Sequence, residues 1–363
     1  MKGVSYAVVF PAVLGGGMAL ADVPRVAVDI APVHGLVARV MEGVGTPDLV
    51  IPPGASPHGY AMRPSEALAL ERADAVFWIG EALTPWLEGP LDTLASDARV
   101  TELLEVPGTL TYEFRTGATF EAHEHGDEHH DEGHQDEAHD GDEHADHADE
   151  HDHNDHDGHK DHDDHEKHAD HDAHDHDNHA DHAAHDDHEG HGHTGLDPHA
   201  WLAPANAEVW LMAIAEELSD LDPENAATYK ANAVAGKAEI DAAVKEVNAL
   251  LEPFRAKSFI VFHDAYQYYE KSFGLASAGA ISLGDASDPS PARIAEIRNE
   301  VAEHGVTCVF SEPQFNPGLV ATVLDGTKAS TVVIDPIGTS IPTGPTFYTD
   351  LITGLGKAIA SCG

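Results

Sequence analysis

The chain has 363 residues, 65 of them acidic and 19 basic, for a formal net charge of −46. That charge excludes nucleic acid and anionic membrane surfaces as partners and favours cations. A hydrophobic content of 42% is enough to build the core of one large or two ordinary domains.

Residues 1–21 read as a signal peptide. Lys2 supplies the positive start, residues 4–14 form a short apolar run, and Ala19-Leu20-Ala21 is a small-x-small cleavage site placing the mature start near Asp22. Pro11 and the glycines Gly15, Gly16 and Gly17 interrupt the run, and it is too short for a membrane anchor. No cysteine follows the cleavage site, which argues against a lipid anchor.

The next stretch alternates strand and helix patterns. Strands are expected at 25–30, 49–51 and 75–79, and helices at 32–42, 64–72 and 84–94. Gly43 ends the first helix and Pro64 opens the second. This alternation predicts a parallel sheet covered on both faces. From 121 to 193 the composition changes. This insert carries 24 of the 29 histidines and 29 of the 65 acidic residues, but only Lys160 and Lys167 as basic ones. Its net charge is −29 + 2 = −27, and with so few apolar side chains it is expected to form a loop without a core.

Helical patterns return at 205–218 and from 222 to about 251, where Pro253 stops the run. A second alternating unit follows, with strands at 258–262, 276–281, 306–310 and 331–334 and helices at 265–273, 291–304, 317–328 and 346–360. The expected fold class is α/β: two lobes (22–221 and 253–363), each a parallel sheet flanked by helices, joined by one long rigid helix (222–252) that allows tilting rather than wide closure. Cys308 and Cys362 are the two cysteines. In an exported chain such a pair usually forms a disulfide, here fastening the C-terminal helix, with two unpaired thiols as the alternative.

Outside the insert only His34, His58, His199, His263 and His304 remain. His58 lies in the loop after the second strand, His263 directly follows a strand, and His199 sits just before a helix. In open α/β sheets, ligands bind beyond the carboxyl ends of the strands, so two facing lobes would bring these three imidazoles to one cleft. Three neutral imidazoles with one open position suit Zn(II), and nitrogen ligands favour it over magnesium, calcium or manganese. A lone histidine is more often a hydrogen-bonded or surface residue, but the metal-binding composition of the insert strengthens the ligand reading. His34 lies near the same rim. His304 ends a helix, where a cation suits the dipole.

Several motifs carry a family resemblance. Gly54-Ala55-Ser56-Pro57-His58-Gly59-Tyr60 with Arg63-Pro64-Ser65, then Asp197-Pro198-His199-Ala200-Trp201-Leu202, then Phe262-His263-Asp264-Ala265-Tyr266 resemble the three metal loops of zinc ABC-transporter periplasmic substrate-binding proteins, the ZnuA type of the metal-binding cluster A-I family. Glu312-Pro313-Gln314-Phe315 and Asp335-Pro336-Ile337-Gly338-Thr339 match two further family segments, and Cys308/Cys362 is similar to the family disulfide. The resemblance spans essentially the mature chain. It implies a monomeric, non-enzymatic periplasmic carrier. His58, His199 and His263 would hold one tight Zn(II), and delivery would be to an inner-membrane ABC zinc permease with its ATPase, with a periplasmic zinc chaperone as a further partner. Some members place a glutamate directly before the first histidine. Here that residue is Pro57, so the fourth ligand stays open among water, Asp335 and an insert histidine. Glu312 orients an imidazole or forms a buried ion pair; Asp197 and Asp264 are expected to cap the helices that follow them.

The insert has His-x-His and His-x-x-His runs, such as those of His123, His125, His129, His191 and His193. These suit several weak zinc sites that collect or sense the metal, with binding lost as pH falls through roughly 6 and imidazoles protonate. The competing functions are a zinc buffer or metallochaperone, a manganese carrier and a zinc hydrolase. Neither an HExxH sequence nor another general-base motif supports the hydrolase. Deleting 121–193 is predicted to abolish the weak sites and spare one tight site in titration calorimetry; loss of the tight site as well would overturn this division of labour.

Overall fold

The structure, a computed structural model, describes residues 23–115, 119–120, 195–282, 289–303 and 305–362. The expected leader, the insert histidines and His304 lie outside them.

Among the described residues the strands form two four-stranded parallel sheets. The first contains β1 (Val26–Val28), β2 (Asp48–Leu49), β3 (Ala75–Trp78) and β4 (Arg99–Glu102), in the order β2-β1-β3-β4. The second contains β5 (Phe259–His263), β6 (Gly279–Ser282), β7 (Cys308–Ser311) and β8 (Ser330–Val333), in the equivalent order β6-β5-β7-β8. Parallel neighbours need crossovers, and helices supply them. These are α1 (Ala31–Val40), α2 (Pro64–Glu71) and α3 (Glu88–Leu94) in the first half. The second half has α6 (Gln267–Phe273), α7 (Pro291–Glu303) and α8 (Pro317–Leu324) after α4 (Pro204–Leu221) and α5 (Ala226–Leu251). The central strands Val26–Val28, Ala75–Trp78 and Phe259–His263 are buried throughout, as strands covered on both faces must be. β4 was not legible: Arg-Val-Thr-Glu is an edge strand with no buried residue and no apolar run.

The long helix starts at Ala226 rather than 222. The Asp222 carboxylate accepts from the Asn225 side chain (2.7 Å) and the Tyr229 hydroxyl (2.9 Å), closing the turn between α4 and α5. The remaining 26 residues make a rod of about 39 Å. It buries Tyr229, Ala233, Gly236, Ile240, Ala243, Val247 and Leu251, one stripe at helical spacing. A single apolar core runs from Val28 and Phe77 of the first sheet through Trp210, Tyr229 and Val247 to Phe259 and Phe310 of the second. The C-terminal helix α9 (Phe347–Ala360) belongs to this core and packs on α1 and α5. Its approach to α1 is close enough that a Cβ on Gly35 would come within 2.9 Å of Phe347. Phe259 and Val261 of β5 face the shared core, while Ile260 and Phe262 face a smaller core with Ile297 and Val320 on the other side of the second sheet. The Cys308–Cys362 disulfide ties the end of α9 to β7 across a sequence separation of 54. By loop closure it contributes about 4 kcal/mol.

Both sheets change winding direction beside their first strand in the chain, which creates a switch point between β1 and β3 and another between β5 and β7. The first is closed by Asp29. This buried carboxylate accepts from Ile30 N–H and Ile79 N–H, each at 2.7 Å, and so stitches the end of β1 to the end of β3. Burial pushes the Asp29 carboxyl up to about 7, against the pull of those donors. Since its folded value lies above the ordinary one, the stability Asp29 provides is complete below about pH 4 and is lost as pH rises through 7. Asp29→Asn turns one acceptor towards a donor and is predicted to destabilise at low pH. Its deficit relative to wild type should narrow by on the order of 4 kcal/mol between pH 4 and 8. Urea unfolding across that range measures it; a constant deficit refutes the assignment.

Candidate metal centre

The three histidines arrive on different kinds of support. His58 sits in a 3-10 turn, Pro57–Gly59, that follows β2. Trp86 Nε1 donates to Pro57 O at 2.7 Å, and Glu66 accepts from Tyr60 Oη (2.9 Å) and Arg63 N–H (2.6 Å), which pins the loop on both sides of His58. His199 precedes the 3-10 turn Ala200–Leu202, held where Asn206 Nδ2 donates to Ala200 O at 3.0 Å. His263 is the last residue of β5, at the switch point of the second sheet.

The structure brings all three together. The His58 and His199 ring centroids are 5.8 Å apart, and those of His199 and His263 are 5.3 Å apart. His199 is 4% exposed and His263 3%, while His58 is half-buried towards solvent. Tetrahedral zinc with Zn–N bonds of about 2.0–2.1 Å puts ring centroids about 5 Å apart. The second pair already has that spacing and the first would close by less than about 1 Å. Among the described residues no group of three or more His, Cys, Asp or Glu side chains stands close enough, as placed, to hold a metal ion.

Two of the imidazoles are held by buried carboxylates. His199 Nδ1 lies 2.7 Å from Asp197 Oδ1, and His263 Nδ1 lies 2.7 Å from Glu312 Oε1. An ionised carboxylate only accepts, so each Nδ1 carries the hydrogen and each Nε2 keeps its lone pair for a ligand. This is the carboxylate–histidine arrangement that orients metal ligands and raises their basicity. Asp197 also accepts from Gln267 Nε2 at 3.2 Å. Burial pushes the Asp197 carboxyl up to about 7, against the pull of the His199 N–H and Gln267. A divalent cation beside it would favour the charged form. Aromatic rings line the imidazoles: Trp201 lies 5.2 Å from His199, and Phe315 lies 5.5 Å from His263.

Several expected roles change. Asp197 and Asp264 are not helix caps. Asp197 serves His199, and Asp264 receives Arg115 Nε at 2.9 Å while the same guanidinium reaches Glu270 at 2.8 Å. α6 starts at Gln267 with Tyr266 at its cap position, two residues beyond Asp264. Burial raises the Asp264 carboxyl even though Arg115 pulls it down. Burial also works against the Arg115 cation, but Glu270 and Asp264 outweigh it and hold its pKa above the usual arginine value. Arg115 was missed from sequence; an isolated arginine beside an acidic insert carries no motif.

Asp335 works for its own loop. Its Oδ1 accepts from Ile337 N–H (3.2 Å) and Gly338 N–H (2.9 Å), and its Oδ2 from Thr339 N–H and Oγ1 (both 2.6 Å). Four donors fill the roughly four acceptor directions of a carboxylate. The loop in turn positions Trp201, whose Nε1 donates to Pro336 O at 2.8 Å. His34 is buried in α1 with Nε2 3.2 Å from Pro47 O, and burial pulls its pKa down.

Comparison with known proteins fits this geometry. The family model for zinc-uptake complex component A, periplasmic (ZnuA), matches residues 26–362. The high-affinity zinc uptake system protein ZnuA of Brucella abortus (strain 2308) is 44% identical over 337 residues, covering 93% of this chain and 91% of that protein. Among solved structures, a crystal structure of ZnuA superposes with a TM-score of 0.64 at 18% identity, covering 94% of this chain and 99% of the other. FpvC from Pseudomonas aeruginosa, in complex with Mn2+, superposes with a TM-score of 0.67 at 16% identity, covering 94% and 98%. At such identities the structural likeness speaks for the fold alone, while the sequence match reaches the metal loops. The chain belongs to the ZnuA family, the periplasmic component A of zinc-uptake complexes.

Proposed function

We propose that this protein captures Zn2+ with His58, His199 and His263 and delivers it to an inner-membrane ABC permease driven by an ATPase. The observation that carries this reading is the pair of buried imidazoles, each fixed by a carboxylate and placed beside a third ring. Zinc is the cargo. Asp197 and Glu312 bring two negative charges within one hydrogen bond of its ligands, which matches a divalent cation. Imidazole nitrogens favour zinc over manganese, whose site would be richer in carboxylates.

The fourth position goes to water or to a histidine of the insert. Pro57 has no donor side chain and the acceptor directions of Asp335 are filled. The insert adds weaker sites, and residues 1–21 direct the chain to the periplasm, with cleavage near Ala21/Asp22 and no lipid anchor. The protein acts as a monomer and accepts zinc from solution or from a periplasmic zinc chaperone.

A carrier needs tight reversible binding and no turnover. Glu312→Gln keeps an acceptor for His263 but removes the charge; zinc affinity is expected to fall about 10-fold, within the range seen when a ligand's orienting partner is changed. His199→Ala and His263→Ala should weaken it further. Chelator competition measures all three, and wild-type affinity in the alanine variants would sink the assignment. A strain lacking the protein should fail to grow in chelator-treated medium and recover with added zinc. Normal growth there would favour a zinc buffer.

A further inference from the structure

The chain on either side of the histidine-rich insert forms a short antiparallel stalk. Phe114 N–H donates to Gly195 O (3.1 Å), Asp197 N–H donates to Tyr112 O (2.8 Å), and Glu113 pairs with Leu196. The stalk is fixed against α6. The Tyr268 hydroxyl accepts from Tyr112 N–H at 3.0 Å and donates to Asp197 O at 2.8 Å. Gln267 Nε2 donates to Glu113 O at 2.9 Å. Beyond the stalk, Phe120 N–H donates to Ala278 O at 2.8 Å and Thr119 pairs with Gly279, which covers part of the outer edge of β6.

Each strand of the stalk reaches the support of one imidazole. On the strand leaving the insert, Asp197 holds His199 Nδ1. On the strand entering it, Arg115 grips Asp264, the residue after His263, through Nε and Nη2. Its other donors reach Glu270 at 2.8 and 3.1 Å, and its guanidinium lies 3.9 Å from the centre of the Phe120 ring. Asp264 and Glu270 are 2% and 4% exposed, and the Arg115 guanidinium pairs with both. The chain turns sharply at Asp264, where Ala265 N–H donates to His263 O at 2.9 Å. Moving the Asp264 side chain therefore turns the backbone that carries His263.

We infer that Arg115 is a positioning residue for the metal centre: its fork on Asp264 and Glu270 fixes the turn that carries His263, while the paired strand fixes His199. The stalk thereby holds two ligands from different elements in mutual register. This rests on the reading of His199 and His263 as zinc ligands.

The test uses the full chain with Arg115→Met and Arg115→Lys, and His263→Ala as the control. Zinc affinity is read by chelator competition and ligand geometry by the visible spectrum of the Co2+-loaded protein. Arg115→Met, folded by near-ultraviolet circular dichroism, is expected to lose about 10- to 100-fold in zinc affinity and to shift the Co2+ bands. Arg115→Lys keeps the charge but not the fork, and is expected to lose less affinity while still shifting the bands. It carries the test alone if the methionine variant does not fold. Wild-type affinity and bands in the folded arginine variants, with His263→Ala weakened, overturn the inference and leave the site intact. Wild-type affinity in His263→Ala overturns the reading of the site itself.

Discussion

The hydrogen bond between a buried carboxylate and an imidazole is the interaction on which this molecule is arranged. It occurs twice, at Asp197–His199 and Glu312–His263. Placing carboxylates in a dry setting is unfavourable unless each is paired, and neighbouring residues meet that demand. Gln267 serves Asp197, Trp201 and Phe315 exclude water beside the rings, and Arg115 balances the next two acids, Asp264 and Glu270. What results is a cluster of carboxylates around neutral imidazoles, a setting better suited to a divalent cation than to any organic anion.

The two sheets use the same strand order for different ends. At one switch point Asp29 bridges β1 to Ile79 and the gap is closed by backbone donors. At the other, His263 and Glu312 occupy the corresponding strand ends, and the Glu312 carboxylate meets the imidazole at Nδ1. One half thus supports His58 through its loop, and the other supplies a buried imidazole directly from a strand. The core shared through α4, α5 and α9 makes the two sheets mechanically continuous.

The parts legible in sequence were those with strong local signals. The apolar runs of β1, β3 and β5 and the proline opening α2 announced the alternating architecture. The three histidines stood out because few lie outside the insert, and the surrounding motifs made them coherent. Residues whose roles depend on distant partners were less legible. Asp197 and Asp264 look like helix caps from sequence, but Asp197 turns to the ring of His199 two residues on, and a tertiary contact gives Asp264 to Arg115. Arg115 and Asp264 lie 149 positions apart in the chain, beyond the reach of any pattern of local spacing. β4 escaped notice because an exposed edge strand has no need of an apolar run.

The disulfide has a consequence beyond the stability it lends. Cys308 opens β7 and Glu312 follows its last residue, so the covalent link and the partner of His263 sit at opposite ends of one strand. Such bonds form in oxidising compartments and are rare where thiols are kept reduced. The strand that presents Glu312 therefore acquires its covalent brace only on the far side of the membrane. Maturation of the binding protein is in this way linked to its arrival where free metal has to be gathered, and a copy retained in the cytoplasm would rely on packing alone to hold its last helix.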